Sequence, residues 1–320
     1  MKVKWQTTAM LFVAVVVIMG LLASCTSNAG EEPTATHVEG AAFPLEIVDQ
    51  ADRIVRVEKL PEKIISLAPS NTEILYALGL EDRLVGVTEY CDYPEAAKDK
   101  PKIGGFKTVD IERVVEIQPD LILATDYHKA EVIPELERLG LTALILDPRN
   151  LDEVLEALTL TGKCTGKEDE ASQLVTEIES RINAITEKTA GLAEAEKLWV
   201  FYIVYHDPLM TVGSDTLIHE LIVKAGGINI AQDLTGDYPT MGLEAVIAAN
   251  PQVIVANYGH GSAVDAPLQF AQNEPRLADV DARVNNQVYG IDANLTSRPG
   301  PRIVQGLEQV AKFIHPELFP

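Results

Sequence analysis

Lys and Arg are scarce in this chain of 320 residues: 26 of them stand against 48 Asp and Glu, a formal charge of −22. Such a charge repels phosphate backbones and argues against a nucleic-acid partner. There are three cysteines, Cys25, Cys91 and Cys164; the last two allow one disulfide, but sequence alone does not say whether their thiols approach. The chain contains no Gly-x-Ser-x-Gly elbow, no phosphate-cradling glycine loop followed by Lys-Ser/Thr and no His-Glu-x-x-His helix, so the motif-borne forms of hydrolase and nucleotide chemistry are missing. No short-range metal-ligand motif is present either, and no metal site is expected. Gly (21) and Pro (18) are at ordinary levels and 47% of residues are hydrophobic, which excludes collagen-like repeats and wholesale disorder and supplies enough apolar surface for real cores. The length points to two lobes, because single cores rarely grow past roughly 250–300 residues.

The N-terminus reads as an address and an anchor. Lys2 and Lys4 precede an uncharged apolar run over 9–23 that closes on Leu22-Ala23-Ser24-Cys25. The run is short for a membrane span and ends in small residues, the pattern of a cleaved signal peptide. Leu-Ala-Ser-Cys resembles the bacterial lipobox, which implies a leader over 1–24 and lipidation at Cys25. An uncleaved anchor helix is the alternative; in both cases the body lies outside the cytoplasm, at the outer face of the cytoplasmic membrane or in the periplasm. Loss of the leader removes both lysines and takes the charge from −22 to −24. Residues 25–42 are small, polar and aperiodic, as a flexible tether would be.

From Lys63 onward short apolar runs alternate with helical patterns, which predicts parallel sheets covered on both faces. Strands are expected at 64–67, 84–88, 121–124 and 143–146, then at 198–204, 253–256 and 287–291. Helices are expected at 71–78, 111–117 and 133–139, then at 216–225, 243–249 and 301–313, several of them closed by Gly79, Pro119 or Gly140. Between the halves, Ala171, Leu174, Val175, Ile178, Ile182 and Ile185 recur at three- and four-residue steps, which predicts one long helix over 168–188. The boundaries are therefore 43–165 for an N-terminal lobe, 166–192 for the connecting helix and 193–320 for a C-terminal lobe.

The halves carry an internal repeat. At a constant shift of 132, residues 106–124 (FKTVDIERVVEIQPDLILA) match 238–256 (YPTMGLEAVIAANPQVIVA): Phe106 with Tyr238, Glu112 with Glu244, then Val, Pro, Ile and Ala in step. Ser70-Asn71-Thr72 and Ser214-Asp215-Thr216 are a second pair, each with N-cap chemistry for the helix that follows. In each half the aromatic falls in the loop ahead of a helix and the Glu in its first turn, where the dipole favours a carboxylate.

These residues carry a family resemblance over nearly the whole mature chain. IISLAPSNT (64–72), YCDYP (90–94), ERVVEIQPDLILA (112–124) and SRPGPR (297–302), with the lipobox and the long helix, resemble the substrate-binding proteins of ABC importers for cobalamin and ferric siderophores. The resemblance implies an α/β fold of two Rossmann-like lobes with parallel sheets, joined by a single long backbone helix, with the ligand in the cleft between them. It implies a monomeric binding protein, not an enzyme. It also implies that Glu112 and Glu244 pair with arginines of an ABC permease, and symmetry-related carboxylates suit a two-fold partner; a first-turn Glu matched to its helix dipole is the plain alternative.

The matching aromatics Tyr90, Phe106 and Tyr238 suit a corrin, since flat rings cover a macrocycle with few rotors to freeze; each is equally readable as a packing residue. Arg298 either reaches an anionic group of the ligand or caps the last helix. His128, His206 and His260 fall just past strand ends, where α/β clefts bind ligands, and Tyr127, Tyr205 and Tyr258 lie close to them. Tyr127, His206 and Tyr258 join the candidate ligand-binding set, although loops tolerate such residues anyway. Convergent histidines would favour haem or a ferric complex over cobalamin, through an axial ligand. His37, His219 and His315 are poor candidates. The bound molecule is thus expected to be a cobalt corrinoid or an iron complex, with no resident cofactor. Few basic residues beyond Lys129, Arg149 and Arg298 lie near the expected cleft, which disfavours an anionic siderophore. An extracytoplasmic enzyme using the same cleft, and a receptor without a transporter, are the rivals of another class.

Overall fold

Two four-stranded parallel sheets form the body, built from matching apolar runs. The computed structural model describes residues 42–259 and 265–319; the leader, Cys25, His37, the tether before Ala42, and His260 lie outside them. A hairpin of β1 (Leu45–Val48) and β2 (Ile54–Val57) opens the chain. The first sheet follows, from β3 (Ile64–Ser66), β4 (Leu84–Val87), β5 (Leu121–Ala124) and β6 (Ala143–Ile145), in the order β4-β3-β5-β6. In the second half come β7 (Leu198–Ile203), a short antiparallel ribbon of β8 (Tyr205–His206) and β9 (Leu209–Met210), then β10 (Gly227–Asn229), β11 (Val253–Tyr258) and β12 (Val288–Asp292). The second sheet runs β10-β7-β11-β12. Each sheet places its first strand between its second and third, so the repeat read from 106–124 and 238–256 is a repeat of topology.

The strands explain themselves by burial on both faces. In β5, Leu121 and Leu123 enter a core shared with the long helices, while Ile122 and Ala124 enter a separate core on the far face. In β11 the same split sends Val253 and Val255 one way and Ile254 and Ala256 the other. Val114 and Val246, repeat partners, fill the two far-side cores from the helices Ile111–Ile117 and Leu243–Ala249. Each fully buried Leu, Ile or Val contributes roughly 1.5–3 kcal/mol. The shared core continues from one lobe to the other, from Ile64 and Leu144 to Val200 and Leu221.

The predicted connecting helix runs Glu168–Thr189, with Ala171, Ile178, Ile182 and Ile185 buried. Its far end is tied to the C-terminal lobe: Arg181 forks onto Glu308 at 2.8 and 2.9 Å, and Thr189 Oγ1 donates to Lys224 O at 2.9 Å. At its start it crosses the helix Leu151–Thr165, which the sequence reading missed. Gly162 makes that crossing possible, since a Cβ there would lie 2.5 Å from Ala171 Cβ. The Glu220 carboxylate, from the other lobe, accepts from Leu151 N–H at 2.7 Å at the start of this helix, where the dipole favours negative charge.

Several boundaries shift for physical reasons. The first helix starts at Pro69 with Ala68 as its cap, so Ser70, Asn71 and Thr72 lie inside it and do not cap it. Their side chains turn inward: Asn71 Nδ2 donates to Ala124 O at 3.0 Å, and Thr72 Oγ1 donates to Ser66 Oγ at 2.8 Å. In the second lobe Thr216 does cap, accepting from His219 N–H at 3.1 Å. Cys91 and Cys164 are both buried and unbridged.

Candidate functional site

The carboxyl ends of the first sheet open onto a cleft of about 910 Å³ shared by both lobes. The chain after β3 supplies Ala68–Ser70, the loop after β4 supplies Tyr90, and the turns after β5 and β6 supply Thr125, Tyr127, Leu146 and Asp147. Across from them stand Asp237 and Tyr238, then Ser297, Arg298 and Pro299 beyond β12. This is where open parallel sheets bind ligands, because a strand order that reverses direction splays the connecting loops apart.

Four aromatics line the cleft, Tyr90, Phe106 and Tyr127 from one lobe and Tyr238 from the other. The three tyrosines are 60%, 53% and 47% exposed, so their rings are open to a ligand in the cleft. Phe106 is half-buried, with its ring centroid 5.2 Å from that of Tyr127 and 5.0 Å from that of His128. Gly104 makes the turn into this loop at φ 92°, and a Cβ there would strike Thr108 O at 2.4 Å.

His128, whose place at the ligand the sequence left open, is fully buried and is not among the residues that line the cleft. Thr125 N–H donates to Nδ1 at 3.2 Å, and Nε2 lies 2.9 Å from Phe106 O. With Nδ1 accepting, the ring is neutral and its Nε2–H donates to Phe106 O. Burial pushes its pKa down, against a smaller opposing effect of the Phe106 and Thr125 hydrogen bonds. His128 therefore braces two cleft-lining loops against each other.

Arg298 lines the cleft, but its charge is matched inside the protein. Its Nη1 lies 2.6 Å from Asp92 Oδ1 and 3.3 Å from Glu73 Oε1. Arg302 forks onto the same Glu73 at 2.8 and 2.6 Å and stacks 3.7 Å from the Tyr93 ring centre. The Glu73 side chain is 2% exposed. Two C-terminal-lobe guanidinium groups thus meet two N-terminal-lobe carboxylates, an ion-pair clasp that neither sequence alternative for Arg298 anticipated. Burial pushes the Asp92 carboxyl up, but the Arg298 hydrogen bond and charge outweigh it and hold the group below the usual range. On the facing wall Arg149 sits 3.6 Å from Asp147 and 3.7 Å from Asp237, again bridging the lobes. Lys107 lines the cleft without a carboxylate partner among the described residues; its Nζ stands 5.5 Å from the Tyr127 ring centre.

His206 and Tyr258 do not line this cleft. His206 lies in the β8–β9 ribbon against the rings of Tyr205 and Phe270, and Tyr258 ends β11 beside Gly290. His219 faces Asn229, and His315 bridges Glu317 and Gly226 O. The described histidines therefore do not converge, and no cluster of three or more His, Cys, Asp or Glu able to hold a metal occurs among the described residues. Glu112 and Glu244 are exposed in the first turns of their matched seven-residue helices. Each helix ends on a left-handed residue, Gln118 or Asn250, followed by proline.

The comparisons with known proteins agree with this architecture. The chain belongs to the periplasmic binding protein family, which it matches over residues 64–295. It is 34% identical to the uncharacterized ABC transporter substrate-binding lipoprotein YvrC of Bacillus subtilis, over 93% of this chain and 94% of that one. It is 30% identical to the vitamin B12-binding protein of Vibrio cholerae, over 79% of this chain and 89% of that one. The crystal structure of a possible iron-binding periplasmic solute-binding protein from Staphylococcus epidermidis superposes with a TM-score of 0.69 at 28% identity, covering 80% of this chain and all of that one. The protein is accordingly an extracytoplasmic substrate-binding protein of an ABC importer, which delivers its ligand to a membrane permease, and not an enzyme.

Sequence reading missed Glu73, Asp92, Asp147 and Arg302. A signal for Glu73 was available: a charged residue amid the apolar run of Ile74, Leu75 and Leu78 has to find a partner when its helix is buried.

Proposed function

We propose that the cleft captures a corrinoid of the cobalamin type and that the protein hands it to the permease through Glu112 and Glu244. The observation that carries the reading is the character of the cleft: large, walled by aromatics from both lobes, and holding one cation, Lys107, that no described carboxylate matches. Its volume of about 910 Å³ lies near the top of the roughly 300–1,000 Å³ usual for small-molecule sites, which suits a macrocycle. Flat rings recover apolar area from the macrocycle faces, and the serine, threonine and guanidinium N–H and O–H groups serve peripheral amides. A dianionic haem or a polyanionic siderophore would meet Asp147 and Asp237 without a surplus of positive charge. The cleft tyrosines favour a second reading, a ferric complex with a tyrosinate ligand.

The exposed carboxylates on the two repeat-related helices support docking, because equivalent charges on two similar lobes fit a two-fold partner. Anchoring through a lipid on Cys25 keeps the receptor near that partner. The deciding experiment is calorimetric titration of residues 26–320 with cyanocobalamin, haem and a ferric siderophore in parallel. One-to-one cyanocobalamin binding that weakens about tenfold or more in Phe106→Ala and Tyr238→Ala supports the corrinoid reading. Binding of haem or the siderophore alone overturns it and moves the ligand contacts to the tyrosines.

A further inference from the structure

The clasp does more than join the lobes, because one of its members faces the cleft. Arg298 lines the cavity beside Ser70, Ser297 and Pro299, while Glu73 and Asp92 hold its Nη1 from behind. Its described hydrogen bonds use Nη1 alone, so Nε–H and the Nη2 hydrogens are left as donors on a residue that lines the cleft. Two guanidinium groups balance two carboxylates, and the local charge is zero. A guanidinium in this state is a multiple hydrogen-bond donor without the net field that would draw in an anion.

We propose that Glu73 and Asp92 are specificity-determining residues: by neutralising Arg298 and Arg302 they turn the cleft's guanidinium into a donor for uncharged carbonyl and amide oxygens and make it reject ligands bearing extra carboxylates. The inference rests on the reading of this cleft as the ligand site. Its physics is a difference of affinities: an anion gains an ion pair at a bare arginine but gains little at one already paired with two carboxylates. The near-burial of Glu73 and the half-exposure of Asp92 at the clasp's outer edge divide the work. Glu73 gives the pairing its fixed geometry, and Asp92 sets the charge that a ligand meets. The facing wall follows the same rule, with Arg149 held between Asp147 and Asp237.

The test uses probes of one shape and two charges: cyanocobalamin, and its monocarboxylic acid in which one peripheral propionamide is hydrolysed. Asp92→Asn keeps an oxygen acceptor for Arg298 and removes one negative charge. Dissociation constants of both probes are measured on the full chain in detergent, for the wild type, Asp92→Asn and Glu194→Gln. Glu194 is an exposed residue paired with Lys197 on the surface, and its substitution controls for the change in overall charge. A charge removed several Å from the bound carboxylate should shift the acid-to-amide ratio by about three- to tenfold in favour of the acid. The wild type is expected to prefer the amide, Asp92→Asn to narrow or reverse that preference, and Glu194→Gln to leave it unchanged. An unchanged ratio in Asp92→Asn, or an equal weakening of both probes, overturns the proposal while leaving the corrinoid reading in place. If the wild type binds neither probe, the corrinoid reading fails. The clasp is then judged with haemin, whose two carboxylates must bind more tightly to Asp92→Asn; no gain there overturns it.

Discussion

Lowering the pH should loosen the aromatic wall through a residue that never touches the cleft. His128 accepts from Thr125 N–H on Nδ1 and reaches Phe106 O with Nε2, so only the neutral ring satisfies both loops. A second proton on Nδ1 would point at an N–H donor; the Thr125 hydroxyl, also 3.2 Å away, is the one acceptor available to it. Burial and two backbone hydrogen bonds set the titration of the ring, and the flanking Asp126 lies 3.5 Å from Lys129. The folded pKa is lowered, chiefly by burial, from an ordinary value near 6.5. The sign follows: the unfolded chain binds the proton first, so this residue's contribution is complete above about pH 6.5. It is lost as pH falls through the folded value, at about 1.4 kcal/mol per pH unit between the two.

Cyanocobalamin affinity, measured by calorimetry from pH 8 downward over the range in which the protein stays folded, should be flat at the upper end and fall once the buried ring is protonated. His128→Gln, which keeps a donor for Phe106 O and does not titrate, should flatten the profile. His128→Leu leaves Phe106 O and Thr125 N–H without their partner and should lower stability by about 2–6 kcal/mol, at roughly 1–3 kcal/mol for each unsatisfied group. The same low-pH slope in His128→Gln as in the wild type would refute the bracing argument.

Three further outcomes follow from the geometry. Arg302→Met removes the fork on a carboxylate that is 2% exposed and should cost about 3–5 kcal/mol in urea denaturation, whereas Glu73→Leu combined with Arg302→Met should recover much of it; a single variant within 0.5 kcal/mol of wild type would contradict the clasp. Glu112→Gln plus Glu244→Gln should leave cyanocobalamin affinity unchanged and abolish uptake by cells that carry the cognate permease, and retained uptake would remove both residues from docking. Burial pushes the Cys164 thiol up to about 12, so it should react with a thiol reagent at pH 8 only after unfolding, and rapid labelling of the native protein would contradict its burial.

Much of the fold was legible because its signals are local. Helix bounds at Ile111–Ile117 and Leu243–Ala249 and the strand Leu121–Ala124 coincide with the sequence reading, since each is framed by an apolar period and a Gln-Pro, Asn-Pro or Pro-Asp stop. The helix Leu151–Thr165 was missed because threonines and Gly162 blur its period, and only the packing of Ala171 against it makes that glycine useful. Strand β10, Gly227–Asn229, is three residues long and gains its identity from pairing with β7.

Composition, the leader pattern, the alternation of strands with helices, and the repeat that pairs Phe106 with Tyr238 and Glu112 with Glu244 were all determined along the chain, because each depends on neighbours within one element or on matching two segments. The partners of individual side chains were decided only in three dimensions. His128 turned inward to hold Phe106, His206 and Tyr258 fell away from the cleft, and Arg298 met Glu73 across 225 positions of sequence. A charge or an imidazole takes its role from whatever the fold brings within about 3 Å of it, and no periodicity encodes that distance.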